Sequence, residues 1–264
     1  MTDVALVSIG ALSSYGADIA KSAGSGAGLM VITVSWFYDE GVPSIAGWTK
    51  VDQISDGSSS DKTSTAIFYK ATADLTAEAS AFTVTLTLGG DQRGIFMFLQ
   101  NTDGSVPVLG SSKVSDISDV IATVPDVNVT RAGSLSILSC GAWGFGEWDT
   151  GAGGTQVPPS GFIEADPANA QEHAAFYKPS LGTGNVGGSF GEATERFAIL
   201  QAVFQPALTS VDRDISETSI VVSDSVAVAR NISKSVADSV AVSDAASVSQ
   251  HIDRNSFIVR KITF

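Results

Sequence analysis

The chain has 264 residues, a formal net charge of −13, only 16% charged residues and a single cysteine. That length holds one large β domain or two small ones with ample core. The acidity argues against a nucleic-acid or anionic-membrane partner, which needs basic patches, and one cysteine excludes an intrachain disulfide.

Residues 1–16 hold Asp3 and no basic residue, so a secretory signal is not expected there. Residues 4–12 read as a first strand, weakest at Ser8 and Gly10, and 21–28 (KSAGSGAG) as a flexible turn. The apolar run 29–37, bounded by Gly and by Asp-Glu-Gly, predicts a buried strand. Residues 52–62 read as a polar loop. Phe82, Val84, Leu86 and Leu88 alternate with Thr83, Thr85 and Thr87, the most regular strand pattern in the chain. Gly89-Gly90-Asp91 turns it, and 95–99 returns as a buried strand. Residues 102–125 form a connector with weaker strands; Val127, Val129, Leu135 and Ile137 mark the strands that follow. Glycine-rich loops are expected at 141–159 and 180–191, a short helix at 166–175, and a closing strand at 197–204. Cys140, in the run SLSILSCGAW with no neighbouring His, reads as a buried free thiol.

The first half is written twice in its letters: AGLMVITVSW, FYK and a closing apolar strand return as AGSLSILSCGAW, FYK and RFAILQAVF. The two AG pairs begin at 27 and 132, 105 apart, and the FYK triplets at 68 and 176, 108 apart. Spacing kept across unlike loops predicts one structural unit used twice. Its expected core includes Val31, Ile32, Trp48, Phe68, Phe96, Phe98, Ile137, Phe176, Ile199 and Phe204. Many short strands between Gly, Pro and Asp turns predict an all-β fold, a jelly-roll-like β-sandwich over 1–208.

From 207 to 264 there is no Gly or Pro. Between Ile220 and Ile252 the branched aliphatics fall almost wholly on even positions: Ile220, Val222, Val226, Val228, Ile232, Val236, Val240, Val242, Val248 and Ile252, with mostly Ser and Ala between them. Period two predicts an extended C-terminal arm over 209–264; a helix is the rival, since spacings of four also occur. An isolated extended segment must satisfy its main chain somewhere, so the arm is expected to oligomerise, with 256–264 as an anchoring strand and a trimer favoured. The lack of Gly and Pro disfavours tight reversals.

Candidate chemistry is sparse. Gly182-x-Gly184-x-x-Gly187 matches a dinucleotide fingerprint in letters only. His173 and His251 lack a nucleophile elbow, and there are too few Cys and His for zinc. Acids that a glycosidase would need (Asp39, Glu40, Glu147, Asp149, Glu164, Asp166) cannot be paired from sequence. Asp56, Asp61 and Asp103 lack the alternating pattern of a calcium loop. No metal, cofactor or catalytic residue is expected. The loop 141–154 alone has recognition potential: Trp143, Phe145 and Trp148 among glycines, beside Glu147 and Asp149, suit either a sugar ring or a neighbouring subunit.

GLMVITVSW, PSIAGWT, TAIFYKATAD and FAILQAVFQPA resemble a β-sandwich domain of tailed-phage minor structural proteins, over roughly residues 3–208. The Ser/Asp/Val tail resembles repeats of phage fibre and spike proteins. Ile45-Ala46, inserted between Pro-Ser and Gly-Trp, and Phe162 in place of Trp depart from the pattern. The resemblance implies a non-enzymatic virion protein of the head or of a tail fibre, assembled as a homo-oligomer with other virion proteins. A glycan-binding adhesin domain is the alternative.

Overall fold

The computed structural model describes residues 2–37, 41–56, 62–88, 92–116, 120–143, 157–166, 173–194, 196–208, 249–253 and 256–261. The chain divides into two compact units, Met1–Thr209 and Ser210–Phe264. In the first, the strands are β1 (Ala5–Ile9), β2 (Ile19–Ala20), β3 (Gly28–Phe37), β4 (Pro43–Ser44), β5 (Thr49–Ser55), β6 (Thr63–Thr72), β7 (Ala81–Phe82), β8 (Thr85–Leu86), β9 (Gln92–Gln100), β10 (Val108–Asp116), β11 (Val120–Val129), β12 (Ser134–Trp143), β13 (Ile163–Glu164), β14 (His173–Leu181), β15 (Gly184–Thr194) and β16 (Arg196–Phe204). The one helical element among the described residues is a 3-10 turn, Leu75–Ala77, capped by Asp74.

The fold is all-β, and the internal repeat is realised as two sheets. One has the order β1-β9-β3-β6-β5, the other β10-β16-β12-β14-β13. Each sheet comes from one continuous half of the chain, and the orders correspond strand for strand. Ile32 pairs with Phe68 and Phe96; Leu138, its equivalent, pairs with Phe176 and Gln201. Even an irregularity repeats: the edge strand β1 bulges between Leu6 and Ser8 opposite Leu99 and Phe98, and β10 bulges between Val108 and Gly110 opposite Phe204 and Val203. Bulges twist an edge and disrupt its outward pairing, and here the device was kept in both copies.

The sheets face each other. Leu29, Val31, Ile67, Ile95, Met97 and Leu99 of the first sheet share one core with Leu135, Ile137, Ala175, Leu200, Ala202 and Phe204 of the second. β3 lies over β12, β6 over β16, and β9 over β14. Exchanging the halves turns the second of these contacts into the third, so a pseudo-twofold axis runs between β3 and β12, along the strands. The outward faces are apolar too. Met30, Ile32, Val34, Phe68, Phe96 and Phe98 are covered by Ile19, Leu75, Phe82, Val84 and Leu86. On the second sheet, Leu138, Cys140, Phe176 and Ile199 are covered by β11 and β15 through Val124, Val127, Val186 and Phe190. At one flank Lys113 of β10 reaches Asp52 of β5 at 2.9 Å and Ser115 donates to the Ser55 carbonyl at 2.9 Å. At the other, the Leu12 amide just past β1 donates to Asp166 just past β13 at 2.8 Å.

Every expected core residue is buried except Trp48, which is partly buried and edge-on to Phe82 at 5.0 Å between ring centroids. Other expectations are corrected. The copies are offset by 106 between β3 and β12, not 105, since Ile32 and Leu138 hold equivalent places against Phe68 and Phe176; by parity that one residue decides which face each side chain takes. Residues 52–55, read as loop, belong to β5, where a register shift after Lys50 turns the polar run along the edge. The alternating Thr segment is not one strand. Phe82, Val84 and Leu86 are buried, but the segment pairs only briefly, Phe82 with Ile19 and then Thr85 and Leu86 with Ser44 and Pro43, lying as a cover, and Leu88 is exposed. Within the expected connector of weaker strands, residues 108–116 form a full edge strand. The Gly-rich stretch 184–191 is strand: an added Cβ at Gly187 would lie 2.7 Å from both the Asp126 Oδ1 and the Val124 carbonyl, so glycine lets β11 and β15 close. Of the expected helix, 167–172 lies outside the described residues and His173–Ala175 opens β14.

In the second unit β17 (Ser249–Asp253) pairs antiparallel with β18 (Ser256–Lys261), Asp253 facing Ser256. The expected terminal strand is therefore present over 256–261. The stretch to which the expectation against tight reversals applies, 220–252, lies outside the described residues up to 248.

Phe68 and Phe176 hold equivalent places and are both buried. Truncating either to Ala is expected to cost about 3–5 kcal/mol, read from urea unfolding. A cost under about 1 kcal/mol at one position with the full cost at the other would show that the copies are not equivalent in packing.

Candidate functional site

β3, β5, β10 and β12 end, and β6, β9, β14 and β16 begin, at one end of the sandwich. Just inside that end, apolar alternation on the shared face gives way to hydroxyls. Ser35 Oγ lies 2.7 Å from His173 Nδ1 and donates to Thr65 Oγ1 at 3.2 Å. Thr33 Oγ1 lies 3.1 Å from His173 Nε2. Thr65 Oγ1 lies 2.6 Å from Ser139 Oγ and donates to the Val34 carbonyl at 3.0 Å. All five residues are 0% exposed.

The seam follows the pseudo-symmetry. Thr33 corresponds to Ser139, and His173 to Thr65, so the Thr33–His173 contact and the Ser139–Thr65 contact are one interaction made twice. Burial, with the nearby Arg93 charge reinforcing it, lowers the His173 pKa to about 3, against a small opposing effect of the Cys140 backbone. The ring is neutral. With the Ser35 hydroxyl donating to Thr65, and Thr65 to the Val34 carbonyl, Nδ1–H donates to Ser35 and Thr33 donates to Nε2. Ser35 and His173 thus meet the distance a nucleophile and its base would need, but neither side chain reaches solvent. Their chemistry in this place is to satisfy one another.

Arg93, on β9 at the same end, is half-buried; desolvation lowers its pKa and Asp166 opposes this. Its guanidinium lies 4.8 Å from the Tyr15 ring centroid, and its Nε donates to the Ser13 carbonyl at 3.2 Å. Tyr15 is 46% exposed and meets Phe37 edge-on. The group gives this end one cationic and aromatic spot.

Of the expected recognition residues, Trp143 is the last residue of β12, paired with Arg196, and so stands at this end. Phe145, Trp148 and Asp149, with Glu147, lie outside the described residues, as do Asp39, Glu40 and Asp61. Asp166 accepts from the Leu12 amide, and Glu164 stands near Cys140, whose thiol burial raises well above its ordinary pKa, Glu164 adding to it. Cys140 is buried and free of any disulfide, as expected. Asp103 is bound by Arg131 at 2.7 Å and by the Ser105 and Val106 amides; burial pulls its pKa up, but these bonds outweigh it and the net shift is downward. No group of three or more potential metal ligands occurs among the described residues. Gly184 and Gly187 sit in β15 with no helix after them, and His251 lies in β17. Of the arm residues only Ile252 is described, also in β17; Val222, Val226, Val228, Ile232, Val236, Val240, Val242 and Val248 lie outside.

The sequence reading missed Thr33, Ser35, Thr65 and Ser139. Their signal was present: polar residues on alternating positions inside runs otherwise apolar. At the far end, an open groove of about 530 Å³ is lined by Gly28, Tyr69, Asn101, Asp103 and Pro107 among others. The sandwich also ends there: Pro206 bridges to Thr102 and the Ala207 amide donates to the Asn101 carbonyl at 2.9 Å. Compared with protein-family models, with curated proteins and with solved structures, the chain matches none of them.

His173 has a testable acid signature. Its folded pKa lies below the unfolded value near 6.5, so the unfolded chain takes up the proton first. The stability it contributes is fully present above about pH 6.5, falls as pH drops through the window toward about 3, and is lost below it. The slope there approaches about 1.4 kcal/mol per pH unit. His173→Gln is expected to flatten the fall in urea midpoint between pH 7 and 4.5 relative to the native chain. Parallel curves would mean that the ring protonates in the folded state without penalty.

Proposed function

We propose that the protein is a non-enzymatic virion structural or decoration subunit of a tailed phage, on the head or in a tail fibre or spike, assembled as a homo-oligomer, with a trimer favoured. The observation that carries this reading is the polarity of the sandwich. The strand ends bearing Trp143 and the Arg93–Tyr15 pair lie at one end; Asp3 and the last residues before 209 lie at the other, where the Asn101 side chain donates to the Asp3 carbonyl. Nine-residue strands separate the two ends by about 30 Å at ~3.3 Å per residue. A closed block tethered at one end and displaying loops at the other suits a subunit held to a particle by its arm. In this reading the sandwich is jelly-roll-like in use, a two-sheet brick, and residues 209–264 form the extended oligomerisation arm. The buried hydroxyl seam supports a role in holding shape over one in turning over substrate.

The second reading, a glycan-binding adhesin domain, draws on Trp143 alone among the described residues, since it delivers its loop to the display end. Deleting residues 210–264 is expected to leave a folded sandwich that light scattering shows as a monomer and that no longer joins particles. An unchanged oligomer with normal incorporation would remove the arm from the mechanism. Replacing Trp143 and Trp148 by Ala, with assembly intact and glycan-array binding lost, would favour the adhesin.

A further inference from the structure

We infer that the sandwich is a fused pair of half-units that meet about a pseudo-twofold axis, and that a single hydroxyl slot on this axis, filled by Ser35 and left open by Gly141, makes each half fit the other and not itself. Ser35 and Gly141 are equivalent positions. Ser35 pairs with Thr65 across β3 and β6, and Gly141 pairs with His173 across β12 and β14. The two strands come so close here that a Cβ on Gly141 would stand 2.9 Å from Thr63 Cγ2, 3.0 Å from Ser35 Oγ and 3.2 Å from Ser35 Cβ. Two serines cannot both fit without movement. A pairing of two first halves would bring serine against serine at this point. A pairing of two second halves would bring glycine against glycine and leave each His173 without the hydroxyl that now meets Nδ1.

The symmetry makes a sharper statement. The partners of Ser35 are Thr65 on its own sheet and His173 on the other. Because Thr65 and His173 exchange under the twofold, a serine at 141 would find the same two partners, His173 on its own sheet and Thr65 on the other. The slot belongs to the axis and either strand can fill it, provided the other does not.

The test uses the full chain. Gly141→Ser alone and Ser35→Gly alone should each lower the urea midpoint, the first by crowding and the second by leaving His173 Nδ1 without its hydroxyl. The double swap S35G/G141S should lose less than the two single losses together, and should be more stable than S35G/G141A, which relieves the crowding without restoring the hydroxyl. Additive losses, a double swap that does not fold, or a serine no better than alanine at 141 would each overturn the shared slot. For selectivity, a protease site is placed at Gly104, where an added side chain meets nothing within 4 Å. The chain is cut, denatured and refolded. Native mass spectrometry should find the two fragments paired one to one; self-pairs at statistical abundance, or failure to pair again, would overturn the fused-pair assignment.

Discussion

A sheet with two apolar faces cannot stand alone in water, and both five-stranded sheets of this protein have two. The rest of the architecture follows from that constraint. Each sheet buries one face against the other sheet and the second face under strands from its own half: the short β2, β4, β7 and β8 on one side, the longer pair β11 and β15 on the other. Burial on both faces explains why β3 reads as a continuous run and not as an alternation. It also explains the short covering strands. A cover needs only to lay apolar side chains on a face, so Phe82, Val84 and Leu86 do their work with two-residue pairings at either end.

An interface of this kind, driven by area alone, would tolerate sliding. The hydroxyl seam removes that freedom, since buried polar groups are costly unless each finds its partner and partners exist only in one register. Thr33, Ser35, Thr65, Ser139 and His173 are all satisfied across the two halves, so the seam fixes how the halves dock more than how strongly they hold. That a buried polar group confers uniqueness is known from some systems and not from all, and here the glycine opposite Ser35 is the feature that makes the register one-sided. The proximity of serine and histidine is a by-product of this packing.

The repeat, most of the core, β3, β9, β12 and β16, and the buried Cys140 were legible in the chain, because each is written in apolar periodicity or in doubled letters. What was not legible depends on contacts between distant segments. β10 reads as VLGSSKVSD, with the weak apolar content of an edge strand, and only its bulge opposite Phe204 reveals it as the counterpart of β1. β15 looks like a loop because glycine is what β11 requires of it at Gly187. The alternation at 82–88 was read correctly for burial and wrongly for pairing, since period two reports an extended chain and not a neighbour. For the candidate site, Trp143 was read as part of a glycine-rich loop from 141, whereas β12 runs on through it; the seam beneath depended on which polar residues of four strands would meet.

Two otherwise matched halves differ in the connection that follows the central strand of each. In the first half eleven residues, 38–48, join β3 to β5; in the second, nineteen residues, 144–162, join the equivalent β12 to β13. The first connection carries Asp39 and Glu40, and its Ile45 and Trp48 turn back onto the first sheet's own core. Among the described residues of the second, Phe162 returns to its core, and the Gly- and Trp-rich letters before it have no counterpart in the first half. Two copies of one sheet secure the fold through a shared face, and the halves then differ in these connections. Connections between strands vary more freely than the strands they join, and the second carries Phe145 and Trp148, aromatic residues of the kind enriched where proteins make contacts.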